Sequence, residues 1–353
     1  MHRRNYTLHV MLAAALVVLA AAAGRIERWD WKRDEAPARV VVRAPVAPAV
    51  PEVAEELSEV AEESDAEVLV RFKPGVTVER VVAITARLND RVEDEIESVE
   101  GLTSIDDLDD AEAEAVAAEY AALPEVEYAE PNTEISVDPL DSHSIRDRFV
   151  SQLPLKSPND PLFAEQWGLV NTGQRGGRAE SDVSALAAWQ KTQGSKKVVV
   201  AVLDSGVDYT HPDLAGNMWH RPADLEMYFD EHLGVVDDFD GFSALAEERD
   251  PMDENGHGTH CSGIVGAEGD NKLGITGVNW RVEIMPLKFM GRGGFGSTKD
   301  AIEAINYVIA RKKDGVNVRV ISASWGSTAR SKALEDVIRK AGEADILFVA
   351  AAG

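Results

Sequence analysis

The sequence predicts an α/β protein, a parallel sheet with helices on both faces, preceded by a small α+β domain of ferredoxin-like pattern. Two observations carry this. From about Asn159, apolar β-branched runs without polar alternation take turns with amphipathic helical stretches, as in a parallel sheet covered on both faces. Between Glu67 and Val137 the order reads β-α-β-β-α-β. The 353 residues leave room for more than one domain.

In the first domain, "EVLVRFKPG" is a strand stopped by Pro74-Gly75, and "TVERVVAITARLN" has helical periodicity. "DEIESVEGLTSI" reads as a hairpin, "DDAEAEAVAAEYAALP" as a second helix ended by Pro124, and "EVEYAEPN" as the closing strand. In the second domain the strands are "KKVVVAVLD", "VEIMPLKFM", "VRVISASW" and "ILFVAAAG", the last read as buried from Ile346 to Ala350. The helices are "SDVSALAAWQKT", "STKDAIEAINYVIARKK" and "SKALEDVIRKAGEA", and there are no internal repeats.

Ahead of these lie two further segments. Arg3 and Arg4 precede fourteen apolar residues, Val10–Ala23, too few to span a bilayer comfortably and ending in Ala21-Ala22-Ala23. Residues 1–23 are expected to be an export signal, with an uncleaved anchor as the alternative, so the protein is expected to be secreted or to reside in the cell envelope with no stable membrane span after signal removal. Residues 24–65, rich in Ala, Pro, Val and Glu, form a linker.

Net charge is −26, and residues 52–140 hold 27 Asp and Glu against 5 Lys and Arg. So acidic a segment repels nucleic acid and anionic membrane, which argues against both as partners. The single cysteine, Cys261, excludes an intramolecular disulfide and a Cys-rich metal site.

The first chemical candidate is Asp204, delivered by "VVVAVLD" to the C-terminal end of its strand, where active groups gather in open α/β sheets. The second is His257 in "DENGHGTHCSGIVGA", where glycines allow close approach at the start of an apolar helix. A buried carboxylate that fixes an imidazole tautomer makes that imidazole a general base. A metal reading of His257, His260 and Cys261 lacks a fourth ligand and zinc-type spacing. A dinucleotide reading of "GRGGFG" (Gly291–Gly296) fits the three-glycine pattern, but Asp314, about twenty residues on, sits in a helix-ending turn instead of at a strand end.

"AVLDSGVDYTHPDL" and "NGHGTHCSGIVGA" resemble the Asp and His boxes of the subtilisin-like serine proteases, in that family's order. "NDPLFAEQWGL" resembles the mature N-terminus of the thermitase-like branch, "GGFGS" its substrate-pairing strand, and "SASWGS" the strand walling the S1 pocket. Residues 66–137 resemble the family's propeptide, an intramolecular chaperone and inhibitor, joined through 138–158 to an incomplete subtilisin-like domain over 159–353.

The resemblance implies a secreted endopeptidase precursor acting on protein or peptide substrates. In it Asp204 orients and His257 acts as base, and Gly294, Phe295, Gly296, Ser324, Trp325 and Gly326 hold substrate backbone. Its propeptide tail "EPNTEISVDPL" would lie between those strands by strand addition, with processing between Glu134 and Pro158. Structural Ca²⁺ is implied at Asp160, Asp213 and Asn271 with the carbonyls of Gly269, Leu273 and Ile275; the alternative there is an ordinary turn with a capping Asp. "DDFDGFSALAEERDPMDENG" is a candidate second, weaker site.

The family's oxyanion Asn would follow "AAAG", and its nucleophile lies in a Gly-Thr-Ser motif that does not occur here. The chain is therefore expected to be an inactive fragment of the enzyme. The alternative is a non-catalytic pseudoprotease whose propeptide-like domain binds or inhibits proteases.

Overall fold

A computed structural model of the chain describes residues 68–109, 111–137, 157–230, 233–245 and 248–352. The expected export signal, the linker and most of the connecting segment lie outside the described residues. Among the described residues, no helix is long and apolar enough to cross a membrane.

The N-terminal part forms β1 (Val68–Phe72), α1 (Val78–Leu88), β2 (Asp90–Glu95), β3 (Leu102–Asp107), α2 (Ala113–Ala121) and β4 (Val126–Pro131). The antiparallel sheet has the order β2-β3-β1-β4, the ferredoxin-like arrangement expected. Thr77 caps α1 by accepting from the Arg80 N–H, and Asn89 ends it in the left-handed region at φ 68°. Val68, Val70, Phe72, Ile84, Ile105, Val116 and Tyr120 form its core. A short strand, β5 (Glu134–Ser136), follows.

The second part contains α3 (Ala185–Trp189), β6 (Gly194–Asp204), β7 (Tyr228–Asp230), β8 (Gly234–Val236), β9 (Phe242–Ser243) and α4 (His257–Gly266). It continues with β10 (Arg281–Lys288), β11 (Phe295–Ser297), α5 (Thr298–Lys313), β12 (Val318–Ala323), α6 (Lys332–Glu343) and β13 (Leu347–Ala350). The five-stranded sheet runs β13-β12-β6-β10-β9, with every pairing parallel.

The period-two geometry of β6 builds both layers. Val199, Ala201 and Leu203 face a core shared with Ala301, Ile302 and Ile305 of α5 and Val337 and Ala341 of α6. Val200 and Val202 face the other way, onto Ala267, Val282, Ile284 and the apolar side of α4.

Two expectations need correcting. "SDVSALAAWQKT" yields only the five-residue α3, because Ser184 takes a left-handed conformation that breaks the helical run. The strand near the C-terminus is not buried: Ile346 is, but Leu347 and Val349 are 63% and 47% exposed, since β13 is an edge strand paired only with β12. The hairpin β7–β8 and the short β9 were unforeseen.

The N-terminal domain docks on the second through α5 and α6. Leu69, Ile96, Val99, Leu102 and Ile135 join the large core that α5 and α6 help form. Glu130 caps α6, its carboxylate accepting from the N–H groups of Lys332 (2.9 Å) and Ala333 (3.0 Å) and from the Ser331 hydroxyl (2.7 Å). The Asn132 side-chain oxygen and the Thr133 carbonyl accept from the Lys299 and Thr298 N–H groups at the start of α5. Arg71 reaches the buried Asp336 of α6 at 2.6 Å, and Tyr128 donates to the same carboxylate.

Candidate active site

Asp204 ends β6 and is fully buried, while His257 opens α4 and is 7% exposed. His257 Nδ1 lies 2.7 Å from Asp204 Oδ1. The close fit depends on Gly258, where an added Cβ would stand 2.1 Å from the Gly206 carbonyl oxygen and 3.0 Å from the Asp204 Cβ. Asp253 organises the turn before the helix, accepting from the Asn255, Gly256 and Thr259 N–H groups. Ser205 links the two boxes by donating to Asp253 and accepting from the Gly258 N–H.

The Asp204 hydrogen bond, helped by the Cys261 sulfur 3.8 Å from Nδ1, pushes the His257 pKa up to about 10 against the opposing effect of burial. Both contacts fall on Nδ1, which leaves Nε2 as the nitrogen able to exchange a proton with another group. Asp204, His257 and Cys261 present ligand atoms within 4.8 Å of one another. His260, part of the metal reading of the sequence, is exposed and outside that group.

Two further backbone segments flank residues 134–137. β11 pairs antiparallel with β5, matching Phe295 with Ser136 and Gly296 with Ile135. On the other side Ser136 exchanges two hydrogen bonds with Gly326, at 3.3 and 3.2 Å, and the Val137 N–H donates to the Gly294 carbonyl. Residues 134–137 thus lie as a middle strand between Gly294–Gly296 and Gly326. Gly296 permits this wall, because a Cβ there would sit 2.0 Å from the Phe289 carbonyl oxygen. Ser324 and Trp325 follow β12; the Trp325 indole donates to the Leu203 carbonyl at 2.9 Å and packs edge-on to Phe289.

The dinucleotide reading of Gly291–Gly296 fails here. The first-turn N–H groups of α5 are taken by Asn132, Thr133 and the Ser297–Asp300 capping box, and Asp314 ion-pairs with Arg311 at the helix end.

The positions read as calcium ligands also gather. Asp160 and Asp213, both buried, flank the loop 269–275. Asp160 accepts from the Asp270 and Asn271 N–H groups and the Thr276 hydroxyl; Asp213 accepts from the Ile275 N–H and the Asn271 amide. Asp270 and Lys272 hold left-handed conformations between these anchors. The two carboxylates therefore shape the loop themselves. The Asn271 Oδ1 accepts from the Leu273 N–H at 2.7 Å while its NH₂ faces Asp213, so the carboxylates of Asp160 and Asp213 are the groups here with the chemistry to hold an ion such as Ca²⁺.

In the acidic stretch after Asp237, the carboxylates serve protein partners: Asp238 pairs with Arg221 and Arg311, Asp240 with His220, and Asp250 accepts from Tyr209. Asp238 is the residue that sequence reasoning missed. The arginines it neutralises lie 17 positions before it and 73 after it, so no local pattern announces them.

Residues 195–353 match the model described as Subtilase family, and residues 51–132 match the Fervidolysin N-terminal prodomain. A thermophilic serine proteinase from Bacillus sp. (strain AK1) is 30% identical over 295 residues, which is 81% of this chain and 58% of that protein. Subtilisin-like protease 1 of Plasmodium vivax is 34% identical over 165 residues, 45% of this chain and 24% of the relative. Among solved structures, fervidolysin from Fervidobacterium pennivorans, a keratinolytic enzyme related to subtilisin, has the same fold at a TM-score of 0.57 and 22% identity. That match covers 82% of this chain and 40% of the fervidolysin chain. The chain spans 58% of the length of the Bacillus relative and less of the others. Residues 195–353 belong to the subtilase family and follow an N-terminal prodomain of the fervidolysin type.

Proposed function

We propose that the chain is the precursor portion of a secreted serine endopeptidase, with residues 1–23 as export signal, 24–65 as linker, 66–137 as inhibitory propeptide and 138–158 as the segment cut on activation. The buried Asp204–His257 pair carries this reading. Asp204 holds the proton on Nδ1, so Nε2 can take the hydroxyl proton of a serine as its oxygen attacks the peptide carbonyl. The imidazolium then returns that proton to the departing amine, and water releases the acyl group by the same route. The serine and the oxyanion amide belong, in this reading, to sequence beyond Gly353. Gly294–Gly296 and Ser324–Gly326 bind substrate backbone, in place of the pairings that Gly294–Gly296 and Gly326 make with residues 134–137.

A fluorophosphonate probe tests the assignment. The 353-residue chain should remain unlabelled, while a chain extended through the following codons should be labelled at serine and lose labelling with His257→Ala. Serine-specific labelling of the short chain, or full labelling of the His257→Ala extended chain, would overturn it.

Calcium is proposed at Asp160, Asp213, Asn271 and the carbonyls of Gly269, Leu273 and Ile275, where it would brace the loop without entering the reaction. At one hundred times its dissociation constant it should stabilise the fold by about 2.7 kcal/mol. Differential scanning calorimetry should show a chelator-sensitive Tm in the parent chain and a smaller chelator effect in Asp213→Ala; equal chelator effects in parent and Asp213→Ala would refute the site.

A further inference from the structure

A second group of carboxylates lies where the prodomain meets the catalytic domain. Glu97 follows β2 in the turn leading to β3, Asp230 ends β7, and Glu303 lies in the second turn of α5. Carboxylate oxygens of all three fall within 4.8 Å of one another. Asp230 is 2% and Glu303 6% exposed, and Glu303 Oε1 is buried without a hydrogen-bond partner among the described residues.

Glu303 Oε1 is the oxygen left without a donor, and the cation Lys299 acts on Glu303 from beside the group. Lys299 is held by Glu93 at 3.1 Å and also feels the charges of Glu303 and the buried Asp94. Asn306 donates to Glu97, and the Leu233 N–H donates to Asp230, which orients two of the three carboxylates. Burial pushes the Glu303 pKa well up, with Asp94, Asp230 and Glu97 adding to the rise and Lys299 opposing it. The Glu97 pKa moves up for the same first reason. Carboxylates of the prodomain hairpin and of the catalytic domain therefore face one another, an arrangement that a bound cation would stabilise.

Oxygens bound to one Ca²⁺ at about 2.3–2.6 Å can stand up to roughly 5 Å apart, a span that covers this trio. The smaller, strictly octahedral Mg²⁺ holds its ligands closer and keeps its waters. We propose that Glu97, Asp230 and Glu303 form a calcium-class cation site that bridges the prodomain hairpin to α5 and fastens the prodomain in place. It shares no residue with the Asp160–Asp213 loop. Its readout is cation binding, so its failure would leave the proteolytic reading untouched.

The test is calcium stoichiometry by equilibrium dialysis on the full 353-residue chain, beside Glu97→Gln, Glu303→Gln and Asp213→Ala. Glu97 is exposed, so its variant folds even if Glu303→Gln does not. Each Gln variant should bind one calcium fewer than the parent, and Glu97→Gln should subtract further from Asp213→Ala. At one hundred times its dissociation constant, calcium should reduce the undocked population about a hundredfold. That reduction is read as slower hydrogen exchange of Asp90–Asp107 in the parent and unchanged exchange in Glu97→Gln. Equal stoichiometry in parent and Glu97→Gln overturns the proposal, and it does so even if the variant is more stable in chelator, since charge relief alone would then explain the gain.

Discussion

In an extended chain that supplies the proposed serine, Asp204→Asn is expected to lower kcat about 10⁴-fold, the size of the same change in a Ser-His-Asp triad, with KM nearly unchanged. Asp204 Oδ1 sits 2.7 Å from His257 Nδ1 and can only accept, so it keeps the proton on Nδ1 and leaves Nε2 free. An Asn amide can present N–H groups there instead and turn the ring into the tautomer that cannot accept from serine. Burial of the carboxylate without exposure means that water cannot substitute for it.

The same pair sets a pH dependence. The folded pKa of His257, about 10, lies above its ordinary value of 6.5. Its stabilising contribution is therefore complete below about pH 6.5 and lost as pH rises toward 10. Urea titrations of the 353-residue chain should show stability declining across that window, and Asp204→Asn should flatten the decline. Because the base must be neutral, kcat/KM of the extended chain should climb over the same range. Parallel stability curves for parent and variant would contradict the coupling.

Asp238→Ala should be the most destabilising single change outside the site, by about 3–5 kcal/mol, because it removes one partner of a buried ion pair. Asp238 is fully buried and accepts from Arg311 Nε at 2.9 Å and the Tyr307 hydroxyl at 2.7 Å, while Arg221 Nε lies 3.0 Å away. Arg311, 2% exposed, also lies over the rings of Tyr228 and Tyr307. Truncation would strand its guanidinium among those aromatics, and Arg311→Met in the same background should recover part of the loss. Guanidinium denaturation of the two variants and the double measures it; a loss below about 1 kcal/mol for Asp238→Ala would refute this account.

The parallel sheet was legible because β6, β10 and β12 are unbroken apolar runs, which only a sheet buried on both faces explains. The Asp204–His257 meeting was legible because one residue ends a buried strand and the other opens a glycine-rich helix. What stayed hidden is non-local. The β7–β8 hairpin has three residues per strand, too few for an alternation to register. Asp238 reads as one acid in an acidic stretch until the fold brings Arg221 and Arg311 to it. Exposure of β13 depends on its place at the sheet edge, which its apolar residues cannot report. At Asn271 the sequence implied an oxygen donor, whereas the side chain points its amide nitrogen at Asp213.

The strand at Glu134–Val137 has a kinetic consequence. On the proposed reading of Gly294–Gly296 and Gly326 as the substrate groove, the tethered segment 134–137 competes at an effective concentration in the millimolar range, whatever the amount of protein in solution. A free peptide forming the same backbone pairings would have to reach comparable concentrations to enter. Cutting the tether converts that intramolecular equilibrium into a bimolecular one, and dilution alone then begins to empty the groove. The length of the delay between cleavage and an open groove would be set by the off-rate of the docked domain, and so by contacts such as Glu130 on α6 that lie away from the chemistry.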